Sequence, residues 1–359
     1  MRQYEHPIRI HFVIDSTASP WPDLPRLTEA DIDAQPDRFV GGRNSWIAQT
    51  FVRLRPVLEA RGWQVTTGPR FVPGTISIVH RDDANRFDPP AAATFLVVVR
   101  ADRAPVHACD LALAQNPLAL AEGERFMPLW PQPGLRARHA GRGTRLECLA
   151  YQGRVERTPG WFDDADFHRA LRRRGVRFEV RSRGWSDYTT VDAALAVREE
   201  GPRVLATKPA TKLYNGWLAG VPVLAAPEPA YAALRRGPLD LLEVNGPRDV
   251  LDAVDILQGD PRRYRDMVRN GRQRGADYGV DATRERWVDL LEREVVPRFV
   301  AARHGLAGRL GWFARAWLRQ QLASRWHRCG VALERADRLR PPPAALPNFV
   351  VDRGFFPVK

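Results

Sequence analysis

The stretch that most constrains this chain is residues 208–225, KPATKLYNGWLAGVPVLA. Lys208-Pro209 reads as a turn, and Thr211 is placed to cap a helix whose apolar face is Leu213, Trp217 and Leu218. Gly220 stands where a helix ends in a left-handed residue. Pro222 blocks continuation, and Val223-Leu224-Ala225 restarts as a strand. A loop, helix and strand in that order form a unit of an α/β domain. The chemistry sits at the helix start. Free N–H groups, the helix dipole and Lys212 make a phosphate site there. Asn215 lies one turn further in, within reach of a ribose or base edge.

The same alternation runs through the rest of the chain. Ile8, Ile10, Phe12 and Ile14 alternate as a first strand, followed by a Pro-, Asp- and Ser-rich loop over 16–37. Gly41-Gly42 precede a helix with Trp46, Phe51, Leu54 and Leu58 on one face; Gly62 ends it and Trp63 to Val65 begins a strand. The glycines do not form GxGxxG, so no dinucleotide fingerprint is present. Strands at 75–80 and 94–99 end in the polar clusters Arg81-Asp82-Asp83 and 100–103. Polar residues at the carboxyl ends of parallel strands face the crevice where α/β proteins bind ligands. A short strand is predicted over 111–116.

Pro, Gly and Arg crowd residues 131–143, after which 146–151 reads as the first strand of a second α/β domain, followed by Gln152-Gly153-Arg154. Residues 162–175 form an amphipathic helix and 176–180 a strand. Glu228 follows the strand at 223–225, positioned to meet ligand hydroxyls. Further helices are predicted over 247–257, 261–275 and 283–299. Residues 306–326 form a basic helix with Leu310, Phe313, Trp317, Leu318, Leu322 and Trp326 as its apolar stripe. Such a helix either docks on the core and buries its Trp residues or lies on an anionic membrane.

Composition bounds the function. At 359 residues the chain has length for two domains. Its three cysteines, Cys109, Cys148 and Cys329, are far apart, which argues against a disulfide framework or a cysteine zinc site and points to a reducing cytoplasm. The start of the chain lacks the apolar core of a signal peptide. A net charge of +13 admits phosphorylated substrates, an anionic membrane face or nucleic acid. The excess is nearly all Arg, dispersed and without a nucleic-acid motif, which speaks against the last. GC-rich coding also produces such usage.

Residues 208–223 resemble the donor-binding segment of GT-B glycosyltransferases, K-P-S-T-K-(aliphatic)-x-E-x-x-A-x-G-x-P-V. Lys208, Pro209, Thr211, Lys212, Gly220, Pro222 and Val223 match, and Asn215 stands where the family has a ribose-binding Glu. Residues 192–198, DAALAVR, are similar to the D-x-x-L-x-x-R element before that loop, which would put Arg198 near the phosphates. The resemblance implies an α/β, GT-B-like fold. Two doubly wound Rossmann-like domains would face a cleft, with C-terminal helices packing back on the first. The expected division is an acceptor domain over 1–135, a linker over 136–145, a donor domain over 146–296, and helices with an extended tail over 297–359. The donor set implied is Arg154, Lys208, Thr211, Lys212, Leu213, Asn215 and Glu228, with Gly41 and Gly42 at the floor of the cleft.

The activity implied is transfer of a sugar from a nucleotide-diphosphate sugar to a hydroxyl acceptor, building a polysaccharide, glycolipid or glycosylated metabolite. The leaving diphosphate would be stabilised by Lys, Arg and a helix N-terminus. No Asp-x-Asp motif is present, so neither a metal nor a cofactor beyond the co-substrate is expected. The expected location is the cytoplasm, with residues 306–326 as a contact to the inner face of the membrane. For an inverting reaction the base candidates at strand ends are His80, Asp82, Asp15 and Asp102. The stereochemistry stays open. So do a non-catalytic GT-B-like subunit, suggested by Asn215, a sugar-nucleotide epimerase and a basic nucleic-acid- or membrane-binding protein.

Overall fold

A computed structural model describes residues 7–14, 21–40, 43–84, 88–302, 305 and 308–339. Its described strands form two parallel sheets. The first contains β1 (Arg9–Val13), β2 (Gln64–Gly68), β3 (Ile76–His80), β4 (Phe95–Ala101), β5 (Leu111–Ala114) and β6 (Arg125–Phe126) in the order β2-β1-β3-β4-β5-β6. The second contains β7 (Cys148–Gln152), β8 (Arg177–Arg181), β9 (Ala193–Ala196), β10 (Val223–Ala225) and β11 (Leu242–Glu243) in the order β11-β10-β9-β7-β8. Strand order reverses between β1 and β3, and between β7 and β9. Ligand crevices of doubly wound sheets open at the carboxyl ends of such neighbours.

Two faces of the first sheet follow from the period-2 pattern of its strands. Ile10, Phe12, Ile76, Ile78, Val97 and Val99 enter one core; Val13, Val79, Leu96, Val98 and Ala112 enter another. The helix Arg43–Glu59 covers the first face with Trp46, Phe51, Leu54 and Leu58. Trp287, Leu291, Val295, Val296 and Phe299 join it from far along the chain. They belong to one helical stretch, Val280–Leu290 continuing through Leu291–Val295 to Val296–Ala302. Its middle turn is π-wide just before Pro297, which has no N–H to give residue 293. The C-terminal helices thus pack back on the first domain.

The last helix, Leu310–Leu339, covers the other face, and its predicted stripe splits. Phe313 and Ala316 are buried in the core, whereas Leu318, Leu322, Trp326 and Leu333 are 57%, 58%, 79% and 66% exposed. Polar groups complete a docking contact made by Phe313, Ala316 and the half-buried Trp317. Gln320 Oε1 accepts the N–H groups of His107 and Ala108 at 3.3 and 3.2 Å, and Arg81 donates to Ser324 Oγ at 2.5 Å. The helix crosses loops that have backbone donors to satisfy, so an amide and a hydroxyl share the contact with Trp317, while Trp326 stays outside it.

In the second domain the helix predicted from 162 begins at Ala165. Asp164 caps it by accepting from the N–H groups of Asp166 and Phe167, and Gly160–Asp163 form a separate 3₁₀ turn. The arginines of the Pro/Gly/Arg-rich segment have a defined task. Arg138 and Arg142 both donate to the fully buried Asp192, which also accepts the backbone N–H groups of Glu147 and Cys148.

Candidate active site

The helix Thr211–Ala219 starts at the carboxyl edge of the second sheet. Gly220 ends it at φ 72°, as the sequence predicts. The start differs from expectation. Thr211 is the first helical residue, and Ala210 holds the cap position without any side-chain cap. The Thr211 hydroxyl instead accepts from Tyr214 at 3.3 Å. The cap residue therefore supplies no side chain to the first N–H groups of this nine-residue helix.

That helix start opens into a cavity of about 440 Å³ lined by both domains. One wall carries Trp46, Gln49, His80, Ala101, Asp102, Arg103 and Gln115. The other carries Gln152, Gly153, Arg154, Arg198, Lys208, Pro209, Thr211, Lys212 and Asn215. The switch points of both sheets thus meet across one space. Ala101, at the end of β4, has φ 55°, a left-handed conformation rare outside glycine, and the pairing of β4 with β5 is irregular there. This bend delivers Asp102 to the cavity edge.

Four cations line the second wall, Arg154 among them. Arg198 pairs with the buried Glu228. Lys208 Nζ lies 2.5 Å from Asp102 Oδ2, across the cleft. Lys212 donates to the carbonyl of Gln152 and sits 3.7 Å over the Tyr151 ring; among the described residues no carboxylate pairs with it. Burial pushes its ammonium well below the usual lysine range, and the nearby Arg198 charge adds to the effect. Burial likewise pushes the Glu228 carboxyl up, against the pull of Arg198 and Lys212. A Cβ at 153 would come within 2.7 Å of Lys212 Nζ and 2.9 Å of the Tyr151 hydroxyl, so a larger residue there would displace these side-chain ends.

Of the donor residues expected from sequence, Lys208, Thr211, Lys212, Arg154 and Asn215 line the cavity, Arg154 at its exposed rim. Three of the expected residues are engaged within the protein itself. Leu213 is fully buried in the core beside Trp217 and its N–H donates to Ala210, so it offers the cavity no side chain. Glu228 does not line the cavity; it stands behind Arg198 and neutralises it. The Asn215 side-chain oxygen accepts the N–H of Gln132 at 3.1 Å, which ties the helix to the end of the first domain while the residue lines the cavity. Of the base candidates, His80 and Asp102 line the cavity. Asp82 is outside the lining and is held by the Arg103 guanidinium at 3.0–3.2 Å, while its N–H donates to His80 Nδ1 at 3.2 Å. Asp15, Gly41 and Gly42 lie outside the described residues. Trp46, Gln49, Gln115 and the Lys208–Asp102 pairing escaped the sequence reading, because only the packing of one domain on the other brings them together.

No known family profile matches the sequence, and no curated protein matches it. Solved structures do. AviGT4, a glycosyltransferase involved in avilamycin A biosynthesis, is 16% identical at a TM-score of 0.51, covering 81% of this chain and 99% of its own. A sucrose-phosphate synthase from Thermosynechococcus elongatus is 12% identical at a TM-score of 0.50, covering 80% of this chain and 98% of its own. Two parallel α/β sheets facing one cavity, the C-terminal helices returned to the first of them, and these structural matches together establish that the chain has the GT-B fold.

Proposed function

We propose that the protein is a glycosyltransferase that moves a sugar from a nucleotide-diphosphate sugar to a hydroxyl acceptor. The observation that carries this reading is the convergence of Arg198, Lys208, Lys212 and an uncapped helix start on one cavity, with no carboxylate among the described residues paired to Lys212. As the bond from the anomeric carbon to the diphosphate oxygen breaks, negative charge builds on the phosphates. Fixed cations and N–H dipoles stabilise that charge without rearrangement. Each such donor is worth roughly 3 kcal/mol of barrier. On the opposite wall, His80 and Asp102 line the cavity as the groups available to take a proton from the acceptor hydroxyl. The two glycosyltransfer enzymes that share the fold support the reading.

A thermal-shift series with UDP, GDP, TDP and ADP tests it. One nucleoside diphosphate at 100 times its Kd should stabilise the protein by about 2.7 kcal/mol and raise the Tm. No shift with any of the four would sink the donor-site reading.

The exposed face of Leu310–Leu339 supports a contact with an anionic membrane surface. Leu318, Leu322, Trp326 and Leu333 follow helical spacing, with the exposed Arg315, Arg319, Arg325 and Arg328 beside them and no acidic residue from 311 to 333. Apolar residues flanked by unopposed arginine suit a bilayer of acidic lipids and disfavour pairing with a second such face. No described helix is long and apolar enough to cross a membrane. Sedimentation with phosphatidylglycerol vesicles should capture the protein at low salt, and phosphatidylcholine vesicles should not. Trp326→Glu combined with Leu322→Glu should abolish capture. Undiminished capture of the double variant would remove this face from consideration.

A further inference from the structure

The donor-loop lysine is held from the other side of the cleft. Asp102 Oδ2 lies 2.5 Å from Lys208 Nζ, at the end of a strand whose last residue, Ala101, is in the left-handed region. The carboxylate also has Arg103 Nη1 at 3.5 Å. Two further bonds tie the same loop to the first domain without using that carboxylate. Thr207 Oγ1 shares its proton between the Val204 carbonyl at 2.9 Å and the Asp102 carbonyl at 3.2 Å, and Asn116 Nδ2 donates to the Ala206 carbonyl at 2.7 Å. The loop therefore keeps its place if the ion pair opens. Backbone and side-chain bonds locate it, while the Asp102–Lys208 contact sets only where the ammonium points.

We infer that Asp102 acts as a stand-in for the donor's diphosphate. In the empty cleft it neutralises Lys208, and donor binding exchanges this carboxylate for a phosphate oxygen. This inference rests on the donor-site reading above. The exchange is one anion for another at an ammonium group, so no bond is made or broken and no proton needs to move. It keeps an anion-binding lysine partnered while the site is vacant. It also makes donor affinity a difference between two ion pairs, so the first domain weakens a ligand held mainly by the second. After the exchange the freed carboxylate faces the cavity on the same wall as His80. Asp102 is a positioning residue in this scheme, since it acts on the donor through Lys208.

The sign of one measurement decides the matter. Calorimetric titration of the full chain with the nucleoside diphosphate that stabilises it should show Asp102→Asn binding more tightly than wild type, by about fivefold, the scale of a partly exposed ion pair. Asp102→Glu should return toward the wild-type Kd. A general field effect of removing any negative charge would tighten binding whatever stood at 208. The gain must therefore vanish when Asp102→Asn is introduced into a Lys208→Met background. Equal or weaker binding by Asp102→Asn, or a gain that persists without Lys208, overturns the inference and leaves the donor site standing. Failure of wild type to bind UDP, GDP, TDP or ADP overturns the donor site and this inference together.

Discussion

Lys212→Met should eliminate the nucleotide-dependent thermal shift while raising the melting temperature of the unliganded protein. The two effects have one origin. In the empty site the ammonium is removed from water over the Tyr151 ring, with a carbonyl but no carboxylate as partner, so its charge is a cost until an anion arrives. Methionine keeps most of the length and removes the charge. Transfer should fall by about 10²–10³-fold, as for loss of one preorganised donor at a developing negative charge. The direction of the pKa shift gives a second signature. Burial and Arg198 hold the ammonium well below its ordinary range in the free protein, and a bound diphosphate raises it again. Binding therefore takes up a proton, and affinity falls as pH rises through the depressed pKa. Titrations in two buffers of different ionisation enthalpy measure that uptake. A Lys212→Met protein that still binds the nucleotide as wild type does would exclude Lys212 from the donor site.

The largest effect on stability is expected at Asp192. Replacement by alanine takes the acceptor from the buried Arg138, the half-buried Arg142 and two backbone N–H groups, and should cost about 3–5 kcal/mol. Burial alone would raise this carboxyl's pKa, but the hydrogen bonds from Arg142 and Glu147 and the Arg138 charge hold it below the ordinary value. A depressed folded-state pKa stabilises above the unfolded value of about 3.9 and loses that contribution as pH falls through the folded value. Wild type should therefore show an acid transition below about pH 4 that Asp192→Asn flattens. Urea unfolding followed by tryptophan fluorescence at neutral pH reads the main effect. A shift below about 1 kcal/mol for Asp192→Ala would mean that the arginines find other partners.

What the sequence discloses and what it hides divide by range. The helix at 211–219, its glycine cap and the strand after it are local matters, and they occur where their residues predict. The α/β class follows from the same local units. Leu213 was legible as part of an apolar face, and its burial beside Trp217 is the consequence of that phase. The site's electrostatics are not local. Lys208 meets Asp102 across 106 positions, Asn215 meets Gln132 across 83 and Arg138 meets Asp192 across 54. No periodicity within an element encodes these pairs. The Arg excess, which suggested anionic partners, is spent in part on internal carboxylates such as Asp192, Asp240 and Glu124. Composition cannot distinguish a paired guanidinium from a solvated one.

The return of Trp287, Leu291, Val295 and Phe299 to the first core, and of Phe313 to the opposite face of the same sheet, bears on how the chain assembles as it is made. The strands of the second sheet and the helices packed on them come from one continuous stretch ending near residue 276 and can close as soon as that stretch is synthesised. The first sheet emerges earlier yet lacks two of its coverings until nearly the whole chain has appeared. Its apolar faces must wait, exposed, for residues more than 270 positions downstream of β1. Order of synthesis and order of completion are therefore reversed between the two halves. Truncation from the C-terminus should strip the N-terminal half of its solubility before it touches the nucleotide-facing half.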